Sequence, residues 1–331
     1  MKPVAIIPNP ASGKDIRRLV AHGTVVSNME KVNIIRRVLI GLEAMGVDQV
    51  FFMPEHYGLG KKAMDSLDLS SKIHFLEMMP NHTQDDSTHA ARLAVELGAA
   101  CLIILGGDGT NRVVAKASGE IPLLPIATGT NNVFSTMIEG TLAGIAAGVI
   151  ARDNGPLDEL TRSAPRLEIW RDDTLLDIAL VDVVISKQGF IASRALWNVD
   201  QITEVFLTQA EPQNIGFSSL GGYLCHLSPD SGQGLHLRIG QGEIKVKAPI
   251  APGLIEWVPI ESYLIFEPGQ ELPIDRNSSV IALDGEREIT ISKHDEFFIK
   301  LNRHGPRVVK LKETLQKASE TCLLVSNKEE Y

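Results

Sequence analysis

The sequence predicts an α/β fold: an N-terminal Rossmann-like parallel-sheet domain with helices on both faces, followed by a C-terminal all-β, sandwich-like domain. Three observations carry this expectation. Over roughly the first 150 residues, short apolar runs alternate with stretches of helical period. Each of those apolar runs ends in a turn containing Pro, Gly or Asn. From about Arg166 the texture changes to closely spaced strand-like runs without helices between them.

In the first part, Val4–Ile7, Val50–Met53, Ile73–Leu76, Leu102–Leu105 and Leu123–Ile126 read as buried strands. Between them, Asn33–Ala44, Asp86–Glu96 and Asn111–Ala117 space their apolar residues by three and four and carry charge on the other face, as amphipathic helices do. Such βαβα order implies a parallel sheet covered on both sides, with ligands expected beyond the carboxyl ends of the strands. In the second part, Arg166–Trp170, Leu176–Ile185, Leu235–Ile239, Glu243–Ala248, Ile255–Phe266, Val280–Ala282 and Phe297–Leu301 read as strands. Turns at Gly240-Gln241-Gly242 and Pro268-Gly269 separate some of them. The segment Asp153–Pro165 reads as a linker, and Leu311–Ala318 as a helix that packs back on the first domain. The expected division is therefore residues 1–155, rejoined by 308–331, and residues 160–307.

A length of 331 residues suits two domains, and a hydrophobic fraction of 44% suits a chain with substantial cores. With 32 basic against 41 acidic residues the net charge is −9. That balance, with no basic run, argues against nucleic acid and against an anionic membrane surface. The longest apolar candidate, Leu142–Ala151, falls far short of the ~18 residues that span a bilayer. No secretory leader is readable at the N-terminus, and Cys101, Cys225 and Cys322 form no paired motif. A soluble protein of the reducing cytoplasm, acting on small molecules, is expected.

Chemistry concentrates at three turns. The run Cys101–Leu105 leads into Gly106-Gly107-Asp108-Gly109-Thr110-Asn111 and then a helix. Glycines there let the backbone approach a ligand closely, and the free N–H groups at the start of the helix favour phosphate. Asp108 then stands beside the phosphates, where it can organise Mg²⁺ or take a proton from an attacking hydroxyl. The next strand ends in Thr128-Gly129-Thr130-Asn131-Asn132, whose hydroxyls and amides suit phosphate oxygens or ribose hydroxyls. The first ends in Asn9-Pro10-Ala11-Ser12-Gly13. None is a Walker A loop, and no Rossmann glycine fingerprint follows a strand; Gly58-Leu59-Gly60 is only a partial match. His82, Asp85, Asp86 and His89 lie close together, but acidic residues in a first helical turn already suit the helix dipole.

The Asn-Pro-x-Ser-Gly, Gly-Gly-Asp-Gly-Thr and Gly-Thr-x-Asn turns, followed by Asp284-Gly285-Glu286 in a β-rich region, resemble the superfamily of ATP-dependent NAD kinases and diacylglycerol or sphingosine kinases. Gly106–Arg112, Ala127–Phe134 and Leu283–Glu288 are most similar to its acetoin-catabolism protein X branch. The resemblance implies that Gly106, Gly107, Gly109, Thr110 and Asn111 cradle nucleotide phosphates. It implies too that Asn9, Ser12, Gly13 and Thr128, Gly129, Thr130, Asn131 and Asn132 complete the nucleotide site. Asp108 would be the catalytic or metal-organising carboxylate, with Asp284 and Glu286 in support, ATP the donor, Mg²⁺ its companion and a homo-oligomer the usual assembly. The chain departs from NAD kinases in lacking their Asn-Glu pair and their Thr-Gly-Ser-Thr-Ala-Tyr segment, for which Gly216–Tyr223 is the nearest counterpart.

Three functions remain open at this point. One is transfer of the ATP γ-phosphate to a hydroxyl of a nucleotide-like acceptor such as NAD. The second is a lipid or sphingoid kinase, and the third a nucleotide-binding regulatory protein that transfers nothing.

Overall fold

The computed structural model describes residues 1–14, 22–65, 67–153, 155–187, 199–275, 278, 280–285, 287–292 and 295–325. The N-terminal unit is built on strands β1 (Val4–Pro8), β2 (Gln49–Phe52), β3 (Lys72–Phe75), β4 (Cys101–Gly106) and β5 (Leu123–Ala127), mutually parallel in the order β3-β2-β1-β4-β5. Their near-continuous apolar sequences follow from burial on both faces. Val4, Ile6, Cys101, Ile103 and Leu105 point into one core, while Ala5, Ile7, Leu102 and Ile104 point into the other.

Helices α1 (Asn28–Ala44), α2 (Leu59–Met64) and α5 (Gly140–Arg152) cover the first face; α3 (Asp85–Glu96) and α4 (Asp108–Ala115) cover the second. Ser27 caps α1 by accepting the Glu30 N–H. Between α1 and α5 the backbones nearly touch: an added Cβ on Gly144 would stand 2.2 Å from the Val38 carbonyl oxygen, and one on Gly41 2.3 Å from that of Thr141. The Gly140, Gly144, Gly148 stripe, spaced by four, is what permits this approach.

Two short strands extend the parallel sheet. β17 (Arg307–Val309) lies beside β5, and β6 (Thr161–Ser163) pairs antiparallel with β17 at the edge. The segment expected to be only a linker thus contributes a strand. Helix α7 (Leu311–Glu320) follows, and Leu311, Leu315 and Ala318 join the core beneath α5. No helix among the described residues is long and apolar enough to cross a membrane.

The C-terminal unit is antiparallel. One sheet holds β9 (Asp182–Ser186), β10 (Ile202–Leu207), β11 (Gly234–Ala251), β12 (Leu254–Phe266), β14 (Val280–Leu283) and β15 (Arg287–Thr290), in the order β12-β11-β10-β9-β14-β15. The other holds β7 (Arg166–Arg171), β8 (Thr174–Ala179), β13 (Leu272–Pro273) and β16 (Phe297–Asn302), in the order β13-β16-β7-β8. Leu167, Ile169 and Ile299 from one sheet meet Val183, Ile185, Phe206 and Leu283 from the other, a sandwich core. Helix α6 (Phe217–Leu224) covers the opposite face of the larger sheet, with Leu220 packed among Val205, Leu207, Leu235 and Leu237.

Two strand expectations are corrected. The run Leu176–Ile185 is not one strand: it divides at Leu180-Val181, where the chain leaves the smaller sheet for the larger. Conversely, Gly240-Gln241-Gly242 makes no turn. The chain passes through it as a bulge within β11, with Ile239 and Ile244 both opposite Ile260, and Gly242 has no room for a Cβ against the Ile260 carbonyl.

Candidate active site at the Gly106–Thr110 turn

The strand order reverses between β1 and β4, and at such a switch point the carboxyl ends of neighbouring strands open a crevice. Here β1 delivers Asn9 and β4 delivers the Gly106–Thr110 turn, and the two are tied directly: Asn9 Nδ2 donates to Thr110 Oγ1 at 2.9 Å. Helix α4 begins at Asp108, inside the turn, not at Asn111 as its period suggested. Its first free N–H groups therefore belong to the turn itself.

The three loops form one packed unit. Ser12 Oγ and Thr128 Oγ1 share a hydrogen bond of 2.7 Å, and Gly13, with φ of 72°, lies so close to the Thr128 carbonyl that a Cβ would stand 2.7 Å from it. Gly107 and Gly129 meet backbone to backbone; a Cβ on Gly129 would be 2.8 Å from Gly107 Cα. Asn111 Nδ2 donates to the Gly107 carbonyl at 2.9 Å, and Asn132 Nδ2 to that of Gly129 at 3.0 Å. Ser12 and Thr128 thus join loop to loop, while Asn111 and Asn132 each close their own turn. Of the residues the sequence singled out, Asn9 and Thr110 line one cavity beside the turn, and Asp108, Asn131 and Asp284 line another.

Two cavities thus open beside the turn. One, of about 210 Å³, is lined by Asn9, Thr110, Met53, His56, His82 and Gln84 among others. The other, a narrow crevice of about 50 Å³, runs between the two units and is lined by Asp108, Asn131, Asp182, Ile215, Ile250 and Asp284 among others. Two residues of a single turn thus face different cavities, Thr110 the first and Asp108 the second.

Asp108 is held by the loop after Gly129. Its Oδ2 accepts the Val133 N–H at 2.8 Å, and its Oδ1 those of Phe134 and Ser135, both at 3.1 Å. Burial nonetheless pushes its carboxyl up to about 7, the nearby charge of Asp284 adding to the rise against the pull of these N–H groups. Asp284 sits at the β14–β15 turn with φ of 47°, a conformation aspartate tolerates, and accepts the N–H groups of Leu180, Val181 and Asp182. Its pKa is raised by burial, with the Arg112 guanidinium opposing. These three N–H groups are free for Asp284 because the chain changes sheets there. Glu286 lies outside the described residues.

Both carboxylates direct most of their lone pairs to backbone N–H groups, and among the described residues no three His, Cys, Asp or Glu side chains group to hold an ion. Among the described residues this donor set does not build a resident metal centre. Of His82, Asp85, Asp86 and His89, Asp86 serves local structure, accepting the N–H groups of Asn81 and His82 at 2.9 and 2.8 Å, and His82 stands in the wall of the Asn9–Thr110 cavity. The partial glycine match at Gly58 is the start of α2, where Glu55 accepts the Tyr57 and Leu59 N–H groups.

Two residues escape sequence reasoning. Lys31, fully buried, donates its Nζ to the carbonyls of Asn9, Pro10 and Ser12, fixing the first loop from beneath. Burial lowers its pKa to about 8. The signal was its register: Lys31 shares the face of α1 that buries Ile34, Ile35 and Val38. Arg112, also fully buried, reaches Asp177 Oδ1 at 3.1 Å and Gln84 Oε1 at 3.3 Å.

Residues 4–153 match the ATP-NAD kinase N-terminal domain, and residues 165–304 the acetoin catabolism protein X C-terminal domain. Acetoin catabolism protein X of Cupriavidus necator is 36% identical over 339 residues, an alignment covering 98% of this chain and 94% of that protein. Among solved structures, UDP-GlcNAc 2-epimerase from Neisseria meningitidis aligns over 38% of this chain and 31% of its own at 13% identity, with a TM-score of 0.26, too low to bear on fold or activity. With its kinase-like first domain and a relative matched from end to end, the chain belongs to the acetoin catabolism protein X family, an NAD kinase-like family.

Proposed function

We propose that the chain is a phosphotransferase that moves the γ-phosphate of Mg·ATP to a hydroxyl of a nucleotide-like acceptor such as NAD. The observation that carries this reading is the placement of Thr110 and Asp108 on one turn, each in the wall of a cavity that opens beside it. The donor would enter by the Asn9–Thr110 cavity and lay its phosphates along Gly106–Thr110, at the N-terminus of α4. When bound with the nucleotide, Mg²⁺ would supply charge neutralisation on the transferred group, with Asp108 the carboxylate on the turn that could help organise it. The acceptor hydroxyl would enter the Asp108 crevice, whose small volume suits the reacting end of a larger molecule.

In the transfer, the acceptor oxygen forms a bond to the γ-phosphorus as the bond from that phosphorus to the β,γ-bridging oxygen breaks, leaving ADP. The hydroxyl proton passes to Asp108. A carboxylate pushed up to about 7 is suited to that exchange near neutral pH. In this reading residues 1–155 with 308–331 hold the donor and residues 160–307 hold the acceptor. The protein is a cytoplasmic homo-oligomer, and the relative's name supplies the setting, acetoin catabolism.

The test is to incubate the protein with Mg·ATP and NAD or NADH and follow products by mass spectrometry. NADP or NADPH supports the full reading. ADP without a phosphorylated dinucleotide keeps the kinase and rejects NAD as acceptor. The close hold on Asp108, only 8% exposed and bound by three backbone N–H groups, favours a second reading in which nucleotide is bound and nothing is transferred. Tight Mg·ATP binding without ADP release would select it.

A further inference from the structure

Arg112 ends the sequence motif that begins at Gly106, yet no step above uses it. Its side chain is fully buried, and each end of its guanidinium meets a different element. Nη1 donates to Asp177 Oδ1 at 3.1 Å on β8 and Nη2 to Gln84 Oε1 at 3.3 Å before α3, while Nε makes no hydrogen bond and holds Asp284 Oδ2 as an ion pair at 3.9 Å. Asp177 also pairs with Lys116, one turn further along the chain.

Burying a guanidinium and its carboxylate costs desolvation that their attraction often fails to recover, so stability alone is a weak reason for this arrangement. Two of the three partners stand in cavity walls: Gln84 in that of the Asn9–Thr110 cavity and Asp284 in that of the crevice. Arg112 itself projects from α4, whose N-terminus is the turn between those cavities. A planar guanidinium fixes the directions of its donors relative to one another, as the point charge of a lysine does not.

We propose that Arg112 is a positioning residue that sets both cavity walls, through Gln84 and Asp284, relative to the Gly106–Thr110 turn. What the cavities bind rests on the phosphotransferase reading; the hold on Asp284 does not. Asp284 in turn accepts the N–H groups of Leu180, Val181 and Asp182, so its placement has its own readout in the exchange of those amides.

The experiment compares the full-length wild type with Arg112→Met/Asp177→Leu, which removes the buried charge pair together, and with Arg112→Lys, which keeps the charge and loses the fork. Thermal unfolding, amide hydrogen exchange and Mg·ATP affinity are measured on each. The double variant is expected to unfold somewhat below the wild-type temperature, because Asp284 and Lys116 each lose a charge partner with the pair. Its amides at Leu180–Asp182 should exchange about tenfold faster, while those at Val133–Ser135, held by Asp108, stay protected. Mg·ATP should bind about fivefold more weakly to both variants. Wild-type protection at Leu180–Asp182 in a stable double variant would overturn the proposal and leave Arg112 as a charge partner for Asp177. If the double variant does not fold, Arg112→Lys decides: unchanged protection overturns the proposal, and lost protection upholds it. A wild type that binds no Mg·ATP would count against the phosphotransferase reading, with the exchange result still deciding the hold of Arg112 on Asp284.

Discussion

Asp108 and Asp284 face one crevice from opposite units, each fastened by three consecutive backbone N–H groups, from Val133 to Ser135 for the first and from Leu180 to Asp182 for the second. The charge of Asp284 is one cause of the raised pKa of Asp108, after burial. The crevice thus holds two carboxylates that disfavour each other's ionisation.

This has a consequence for stability against pH. Asp108 is pushed up to about 7 in the folded chain from an ordinary 3.8, so its protonated form is favoured by folding. The stability it contributes is complete below the ordinary value and is lost as pH rises to about 7. Asp108→Asn does not titrate, and the difference in unfolding free energy should shift in its favour by up to about 4 kcal/mol between roughly pH 4 and 7, then level off. Urea unfolding of both proteins across this range checks it. A difference that stays flat would mean that Asp108 ionises normally in the fold.

Lys31 is the second test, because three carbonyls of the Asn9–Ser12 loop share its Nζ. Lys31→Met leaves them without that donor and should cost about 1–3 kcal/mol at neutral pH. As the loop also carries the Asn9 bond to Thr110, Mg·ATP affinity should fall with it, measured by calorimetry on the folded variant. A stable variant of unchanged affinity would detach this loop from nucleotide binding.

Two glycines separate folding from function. A Cβ on Gly129 would stand 2.8 Å from Gly107 Cα, and one on Gly144 2.2 Å from the Val38 carbonyl. Gly129→Ala and Gly144→Ala should each destabilise by about 1–3 kcal/mol. Only Gly129→Ala should weaken Mg·ATP binding, since Gly144 lies in the α1–α5 contact. Equal effects of the two on binding would contradict the placement of nucleotide at the turn.

Much of the fold was legible in the sequence because its causes are local. Strands covered on both faces, such as Val4–Pro8 and Cys101–Gly106, are apolar throughout, and turns at their ends need Gly or Asn whatever surrounds them. The polar turns at the β1, β4 and β5 ends were visible for the same reason. Features set by distant contacts were not. The apolar run Leu176–Ile185 shows no break, because the corner at Leu180-Val181 is held by Asp284, about a hundred residues away. Helix α5 is rich in Gly and Ala and offers little contrast between faces, so only its packing on α1 reveals it. Within the site, residue type singled out Ser12 and Thr128, whose side chains join loop to loop, and Asn132, which closes its own turn, and passed over Lys31, whose role is its position beneath the first loop.

In the proposed transfer Asp108, on the turn that lines both the donor cavity and the acceptor crevice, takes the acceptor's proton. The measurement that tests it most directly is the transfer rate from Mg·ATP in wild type and Asp108→Asn, with Mg·ATP affinity determined on the same samples. A loss of about 10²–10⁴ in rate with affinity nearly unchanged is expected. A variant rate within a factor of a few of wild type, at equal affinity, would contradict it.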